Sequence, residues 1–144
     1  MAYKTFIQWN CRGLRANIDE IHLLIQKFSP IIICLQEIML KSETDINLRQ
    51  YSHFLNIPAI DDSRPNGGVS IFILKCLPHS EIKLNTCLQA VAVRVGCHRP
   101  ITVCSVYIPP NSPLNCKDLD DLLHQLPPPV LFMGDFNPFY PSVL

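Results

Sequence analysis

Three apolar stretches of the sequence end abruptly in polar side chains. These side chains are two carboxylates and two carboxamides: Asn10, Glu37, Asp135 and Asn137. A charge at the end of a buried strand lowers stability by several kcal/mol unless a partner or a metal ion meets it. If the three strands lie side by side and run in the same direction, their ends converge on one rim. Such an oxygen-rich set suits Mg²⁺ or Mn²⁺ better than zinc, so the sequence predicts a site for a hard divalent cation.

Each of these residues alone also has a purely structural explanation. Asn10 can form a turn with the residues that follow it, Glu37 can be a solvated strand end, and Asp135 can belong to an Asx-turn. Tyr107, at the end of a fourth apolar stretch, can be an ordinary core or rim tyrosine. The joint pattern is harder to explain by local structure than any single member.

The elements that would position these residues alternate between strands and helices. Apolar runs typical of strands, several of them buried on both faces, cover 5–9, 31–35, 69–74, 88–95, 101–108 and 130–133. A helix is predicted from Asn17, which forms a capping box with Glu20, to the stop at Ser29–Pro30. A second amphipathic helix ends before Pro127, and the polar segment 42–50 is ambiguous. The predicted order is β-α-β-(α)-β-β-β-α-β, a mixed α/β fold.

Composition limits the class of protein. The chain has 144 residues, 48% of them apolar and 17% charged, which fits one folded domain and excludes intrinsic disorder. No apolar run is long enough to span a membrane, and the N-terminus does not read as a secretory signal. We therefore expect an intracellular protein, with the nucleus as a candidate location. The formal net charge is zero, so global basicity gives no support for nucleic-acid binding.

The seven cysteines do not form a recognisable framework. Their number is odd, none are spaced C-x-x-C, and several lie inside apolar runs. This pattern argues against disulfides and a zinc site, and favours cysteine as a small buried apolar residue in a reducing compartment.

Four ordered motifs, with a turn between the second and third, are similar to those of a known superfamily. They are Gln8–Leu14 (QWNCRGL), Leu35–Glu37 (LQE), Val106–Pro110 (VYIPP) and Gly134–Asn137 (GDFN), with the turn Asn66–Val69 (NGGV). The sequence resembles the endonuclease/exonuclease/phosphatase superfamily, which includes DNase I-like and apurinic/apyrimidinic endonucleases. The amino-acid sequences of these motifs are most similar to those in the endonuclease domain of jockey-like non-LTR retrotransposons.

The resemblance implies a four-layer αββα sandwich and hydrolysis of DNA phosphodiesters that depends on Mg²⁺ (or Mn²⁺). Carried over by motif, Glu37 would bind the metal, and Asn10 would bind metal or phosphate. Asp135 would orient or deprotonate the attacking water. Asn137 would hold the scissile phosphate, and Tyr107 would contact it. In retrotransposons such a domain nicks DNA to prime reverse transcription.

The sequence also departs from the family pattern. Family members continue past Gly-Asp-Phe-Asn to a Ser-Asp-His-like motif, whereas none of the five histidines in this sequence follows Asn137. We therefore expect residues 1–144 to be a C-terminally truncated, incomplete domain of this type. Since loss of members of a cooperating catalytic set costs many powers of ten in rate, we expect little or no nuclease activity from these residues alone.

Two alternatives remain open on the sequence. The chain could be a non-catalytic remnant or binding module that keeps half of the fold, in which case an uncovered apolar sheet face would drive self-association. It could also carry another chemistry of the superfamily, such as an inositol-phosphate phosphomonoesterase or a sphingomyelinase, although the Trp9–Leu14 wording disfavours this. Affinity for Mg²⁺ or Mn²⁺ that is lost in Glu37→Ala would favour a residual active site.

Overall fold

Ten elements form the part of the chain that the computed structural model describes, residues 3–42, 45–58, 67–110 and 115–136. In chain order they are β1 (Phe6–Asn10), α1 (Ile18–Phe28), β2 (Ile32–Gln36), β3 (Tyr51–Asn56), β4 (Val69–Leu74), β5 (His79–Ile82), β6 (Gln89–Val95), β7 (Ile101–Ile108), α2 (Cys116–His124) and β8 (Val130–Phe136). None of the described helices is long and apolar enough to cross a membrane.

The strands form two four-stranded mixed sheets, ordered β1-β2-β4-β3 and β5-β6-β7-β8. In each sheet one edge pair is parallel, β1 with β2 and β7 with β8, and the remaining pairs are antiparallel. Because parallel strands end at the same edge of a sheet, Asn10 lies beside Gln36, and Tyr107 lies beside Asp135. The topology thus places the predicted site residues at the ends of two parallel pairs.

Three apolar clusters divide the molecule into four layers. The cluster between the sheets contains Ile32, Val69, Val93 and Val103. Helix α1 covers the outer face of the first sheet through Ile21, and α2 covers that of the second through Leu122. The αββα sandwich is therefore confirmed. Both sheets of the described chain are covered on both faces, and the structure does not support self-association through an uncovered sheet face.

The first helix begins and ends where the sequence predicts, but its cap is different. The Asn17 side chain makes no capping hydrogen bond, so the predicted capping box is wrong. Instead, Asn17 Nδ2 donates to the carbonyls of Cys11 (2.7 Å) and Gly13 (2.9 Å) and so holds the loop after β1. At the other end, Ser29 adopts the left-handed conformation and its N–H bonds to the Ile25 carbonyl, a common helix stop.

Two strands escaped the sequence prediction, and one ambiguous helix is not found. These are the edge strands β3 and β5. Their sequences are rich in polar residues, so neither shows the apolar run from which the other strands were predicted. The described parts of segment 42–50 contain no α-helix. Gly134, Asp135 and Phe136 continue β8, so the alternative of an Asx-turn at Asp135 is wrong. All seven cysteines are free, and the predicted burial holds for Cys11, Cys34 and Cys104 but not for Cys76, Cys87 and Cys116, which are exposed.

Candidate active site

The ends of β1, β2, β7 and β8 bring four of the five predicted site residues together. Asn10 Nδ2 donates a hydrogen bond of 2.6 Å to Asp135 Oδ2. The Tyr107 hydroxyl donates to Glu37 Oε1. Both bonds cross from one sheet to the other. Asn137, the fifth residue, lies outside the described residues, as does Asn66 of the predicted turn.

Glu37 reaches the site because its backbone breaks the alternation of β2. Side chains of a strand alternate between its faces, and Gln36 already points into the space between the sheets. Glu37 adopts a left-handed conformation (φ 52°), which redirects its side chain towards Tyr107. For a residue other than glycine, this conformation costs about 1–3 kcal/mol and persists only when neighbouring contacts enforce it.

Backbone bonds on both sides hold the loop that carries Glu37. The Gly13 N–H donates to the Glu37 carbonyl (2.7 Å), and the Ile38 N–H donates to the Gly68 carbonyl (3.3 Å). Gly68 itself has φ +90°, and a Cβ there would lie 2.9 Å from the Ile38 side chain. Glycine is required at this position both for its backbone angle and for the close approach of Ile38.

Gly134 permits the contact between β7 and β8 that aligns Asp135 with Tyr107. A Cβ at Gly134 would lie 2.1 Å from the Val106 carbonyl oxygen, closer than any side chain can approach. The glycine of the GDFN motif therefore serves the close packing of two backbones.

An open cleft of about 490 Å³ runs alongside the site and includes Asn10 and Asp135 in its wall. The other lining residues are Trp9, Cys11, Arg12 and Asn17. Asn10 Oδ1 is buried and has no hydrogen-bond partner in the part of the chain that the structure describes. A buried acceptor without a partner costs about 1–3 kcal/mol, so this oxygen is available to a ligand that accepts electron pairs.

The donor set at the rim fits a hard divalent cation. The unpartnered Asn10 Oδ1 and the carboxylates of Glu37 and Asp135 are all oxygen ligands. Within the described chain, no group of three or more His, Cys, Asp or Glu side chains is arranged around one point. The set is therefore a small one that mixes carboxylate and carboxamide, which is compatible with Mg²⁺ or Mn²⁺ and poor for zinc.

Sequence comparison assigns this architecture to a family. The sequence model described as "Endonuclease/Exonuclease/phosphatase family" matches residues 7–137. The chain belongs to this family. Its members generally use divalent metal ions. A search of curated proteins gives no significant match.

Solved structures of the endonuclease/exonuclease/phosphatase type share the fold. The endonuclease domain of TRAS1, a telomere-specific non-LTR retrotransposon, is 18% identical with a TM-score of 0.68 over 91% of this chain and 59% of that chain. The 3′ phosphatase NExo from Neisseria, bound to a product DNA hairpin, is 16% identical with a TM-score of 0.63 over 91% and 57%. A family protein from Leptotrichia buccalis is 14% identical with a TM-score of 0.63 over 92% and 65%. The chain thus spans less than two thirds of each of these structures.

In this family member, Tyr107 is a neutral donor at physiological pH. Burial, the hydrogen bond to Glu37 and the negative charges of Glu37 and Asp135 all raise the pKa of its phenol. Its ring packs between the sheets while the hydroxyl reaches the rim. The Cys11 thiol is also neutral at physiological pH, because burial raises its pKa to about 11, so it does not provide a thiolate nucleophile.

Histidine does not contribute to the rim of this family member. All five histidines lie in the described residues, and none lines the cleft. His53 hydrogen-bonds to Ser70, and His79 and His124 bond to carbonyls of their own segments. The site therefore offers carboxylates, carboxamides and a phenol, but no imidazole.

Sequence reasoning assigned no role to a buried polar group directly beneath the site. Gln36 is fully buried and hydrogen-bonds to Gln8 and Ser105 from the two sheets. The signal that could have found this group is the glutamine of LQE, a polar residue that ends an otherwise apolar strand.

Proposed function

We propose that the chain provides the metal-binding and phosphate-binding part of an endonuclease domain that hydrolyses DNA phosphodiesters. The observation that carries the proposal is the pair of cross-sheet contacts, Asn10 with Asp135 and Tyr107 with Glu37, around a buried Asn10 oxygen that has no partner. Local turn or core roles do not account for a buried acceptor, unsatisfied within the described residues, on a side chain that contacts the Asp135 carboxylate.

Each side chain has a role that suits its chemistry. Glu37 and Asn10 Oδ1 hold Mg²⁺ or Mn²⁺, which when bound supplies positive charge against the negative charge that develops on the phosphate. Asp135 orients the attacking water and accepts its proton, and the Asn10 amide fixes the Asp135 carboxylate for this task. Tyr107 would turn its single hydroxyl proton from Glu37 to a phosphate oxygen when Glu37 binds the cation, and as a neutral donor it would not repel the phosphate. By its motif, Asn137 would hold the scissile phosphate.

DNA is the proposed substrate, and nicking to prime reverse transcription the proposed use. The support is the wording of the four motifs together with the fold shared with the TRAS1 endonuclease domain and with NExo, which was solved with a DNA product. The identities of 18% and 16% show the fold alone, so the substrate rests on the motifs. On this proposal the chain is the first part of the family's domain and acts in the nucleus.

These 144 residues by themselves are proposed to bind metal and phosphodiester but to turn over slowly. The support is that no histidine lines the cleft, although a histidine completes the catalytic set in the family that the motifs resemble. Cooperating catalytic residues act as a unit, and a set without one member typically retains only a small fraction of the rate.

Mn²⁺ binding tests the proposal without requiring turnover. Electron paramagnetic resonance of the purified chain is expected to show a bound Mn²⁺ signal that Mg²⁺ displaces, and Glu37→Gln is expected to weaken binding by about tenfold or more. Glu81→Gln is the matched control, because Glu81 lies on β5 and pairs with Lys83 at 2.9 Å, away from the rim. Equal affinities for wild type and Glu37→Gln would contradict the proposal.

A non-catalytic binding module is the second candidate function, and the absence of histidine from the cleft wall favours it. Binding and cleavage of a duplex oligonucleotide distinguish the endonuclease part from the binding module. The first proposal expects Mg²⁺ to strengthen DNA binding and Asp135→Asn to abolish any slow nicking. A binding module expects DNA affinity that responds to neither Mg²⁺ nor Asp135→Asn.

A further inference from the structure

One layer of polar groups lies directly beneath the site residues, and within it Gln36 and Ser105 are fully buried whereas Gln8 is exposed. Gln8, Ser105 and Met133 stand two positions before Asn10, Tyr107 and Asp135, respectively. Since strand side chains repeat every two residues, each of the three points to the same face as the site residue that follows it. Gln36, the residue before Glu37, lies at the centre of this layer.

The Gln36 carboxamide bonds to three other strands, β1 in its own sheet and β7 and β8 in the second sheet. Its Oε1 accepts from Gln8 Nε2 on β1 at 2.6 Å. Its Nε2 lies within hydrogen-bond distance of the Ser105 hydroxyl on β7 (3.1 Å) and of the Met133 carbonyl on β8 (3.3 Å). The Ser105 hydroxyl in turn donates to the Leu35 carbonyl at 3.4 Å. One side chain thus connects the ends of four strands in two sheets.

Outside this layer and the site itself, polar bonds between the first and second sheets join only β6 to the β3–β4 side in the described residues: Asn56 Nδ2 donates to the Ala90 carbonyl (3.0 Å), and the Gly68 N–H donates to Gln89 Oε1 (2.7 Å). The inter-sheet cluster is made almost entirely of aliphatic side chains such as Ile71, Val91 and Val93. Apolar contacts are not directional and tolerate small shifts of one sheet over the other. Hydrogen bonds to a fully buried carboxamide are directional, and leaving them unmade is costly.

We infer that Gln36 is a positioning residue that fixes the two sheets so that Asn10 meets Asp135 and Glu37 meets Tyr107. The site is split between the sheets, because Asn10 and Glu37 belong to the first and Tyr107 and Asp135 to the second. Its geometry therefore depends on the offset between sheets. One layer below, the fully buried Gln36 side chain bonds across that gap to both β7 and β8, the strands that carry Tyr107 and Asp135.

The Asn10 side-chain amide gives a readout that needs no metal. Its Nδ2 group donates to a carboxylate at 2.6 Å, so its NMR resonance is expected to lie downfield and to exchange slowly with solvent. Gln36→Leu removes the hydrogen bonds of the carboxamide and fills its space with an apolar side chain. It is expected to abolish both the downfield shift and the slow exchange of the Asn10 resonance. Asn10→Ala identifies the resonance.

Thr102→Val is the matched control for general loss of stability. Thr102 is also fully buried in β7, but it bonds to Pro127 (2.5 Å) and Arg94 (2.9 Å) at the strand end far from Tyr107. It is expected to lower stability by a similar amount and to leave the Asn10 signal unchanged. If Gln36→Leu does not fold, the double variant Gln8→Leu/Ser105→Ala, which leaves Gln36 only the Met133 carbonyl, is expected to lose the same signal.

Metal affinity gives a second readout, which rests on the proposed function. Residues that orient metal ligands typically contribute about 10–100-fold to affinity, so the Mn²⁺ dissociation constant is expected to rise at least about tenfold in Gln36→Leu and to stay constant in Thr102→Val. Loss of the Asn10 signature in Gln36→Leu, together with a wild-type chain that shows the signature but binds no Mn²⁺, would support the positioning role and contradict the proposed function. An Asn10 signal that persists in Gln36→Leu, or that is lost equally in Thr102→Val, would overturn the positioning role.

Discussion

Asn10 and Asp135 are separated by 125 positions in the sequence, yet the Asn10 carboxamide donates to the Asp135 carboxylate at 2.6 Å. Each residue ends or nearly ends an edge strand, β1 in one sheet and β8 in the other. The contact therefore exists only when both parallel pairs have formed and the sheets have packed. The bond uses the amide nitrogen and leaves Asn10 Oδ1 buried and without a hydrogen-bond partner among the described residues, which makes this pair the most informative place to probe the site.

Asn10→Asp is expected to make stability depend on divalent metal. The substitution places a second carboxylate against Asp135, and like charges at this distance repel unless one takes up a proton or a cation binds. We expect the free energy of unfolding in urea to fall by about 1–3 kcal/mol in the presence of a chelator and to recover with Mn²⁺. Asn10→Ala, which adds no charge, should show no such recovery. Equal stability of Asn10→Asp with and without Mn²⁺ would contradict a metal site at this position.

Tyr107→Phe separates phosphate binding from metal binding. The variant keeps the ring in the inter-sheet core but removes the hydroxyl that donates to Glu37. A hydrogen bond to a charged acceptor contributes about 1.5–3 kcal/mol. We expect weaker binding of a DNA oligonucleotide, by about tenfold or more on that scale, with Mn²⁺ affinity changed much less. Loss of Mn²⁺ binding without a change in DNA binding would reverse the assigned roles of Tyr107 and Glu37.

Gly134→Ala is expected to destabilise the fold more than any other glycine-to-alanine change at a glycine without positive φ. The added Cβ would meet the Val106 carbonyl at 2.1 Å, whereas at Gly96 the nearest atom is a Pro78 carbon at 3.1 Å. Overpacking of this kind costs about 1–3 kcal/mol or more. Thermal unfolding should therefore show a clearly larger loss for Gly134→Ala than for Gly96→Ala, and similar losses would argue against close packing of β7 on β8.

His53 is expected to make stability fall on acidification. Burial lowers the pKa of His53 to about 4, while an exposed histidine in the unfolded chain titrates near ~6.5. Between these values the unfolded chain binds a proton that the folded chain does not, so stability is full above about pH 7 and is lost as the pH falls towards 4. The loss is of the order of 3 kcal/mol.

Urea unfolding at a series of pH values measures this effect. His53→Gln, which can still bond to Ser70, should remove most of the pH dependence in that window. His79→Gln is the control, since His79 bonds to the Leu77 carbonyl and does not contact Ser70 or stack on Phe72 as His53 does. A pH dependence that is the same in wild type and His53→Gln would contradict the burial effect.

The sequence allowed the prediction of the fold class and of the ends at which the site lies, because both follow from short-range patterns. Apolar runs with polar ends predict strands and their termini. The four motifs, in the order expected for the family that they resemble, predict the four-layer sandwich. The structure confirms the four layers, and it brings Asn10, Glu37, Tyr107 and Asp135 to one rim. Their roles in catalysis remain predictions.

Other features depend on contacts that a single sequence does not display. The left-handed backbone of Glu37 is enforced by bonds from Gly13 and by the Ile38 bond to Gly68, which come from separate segments. Asn17 has the residue type and spacing of a cap, but nearby carbonyls of the β1 loop compete for its amide and prevail. Strands β3 and β5 lie at sheet edges and carry polar residues at several positions, so their sequences lack the apolar pattern that indicates a strand.

The most direct test of the metal site is the position of Mn²⁺ in crystals of the protein, located by anomalous diffraction. The account predicts a peak at coordination distance, about 2.0–2.6 Å, from a Glu37 carboxylate oxygen and from Asn10 Oδ1, with Asp135 adjacent. A peak bound elsewhere, or no peak at the rim at Mn²⁺ concentrations that saturate binding in solution, would contradict it.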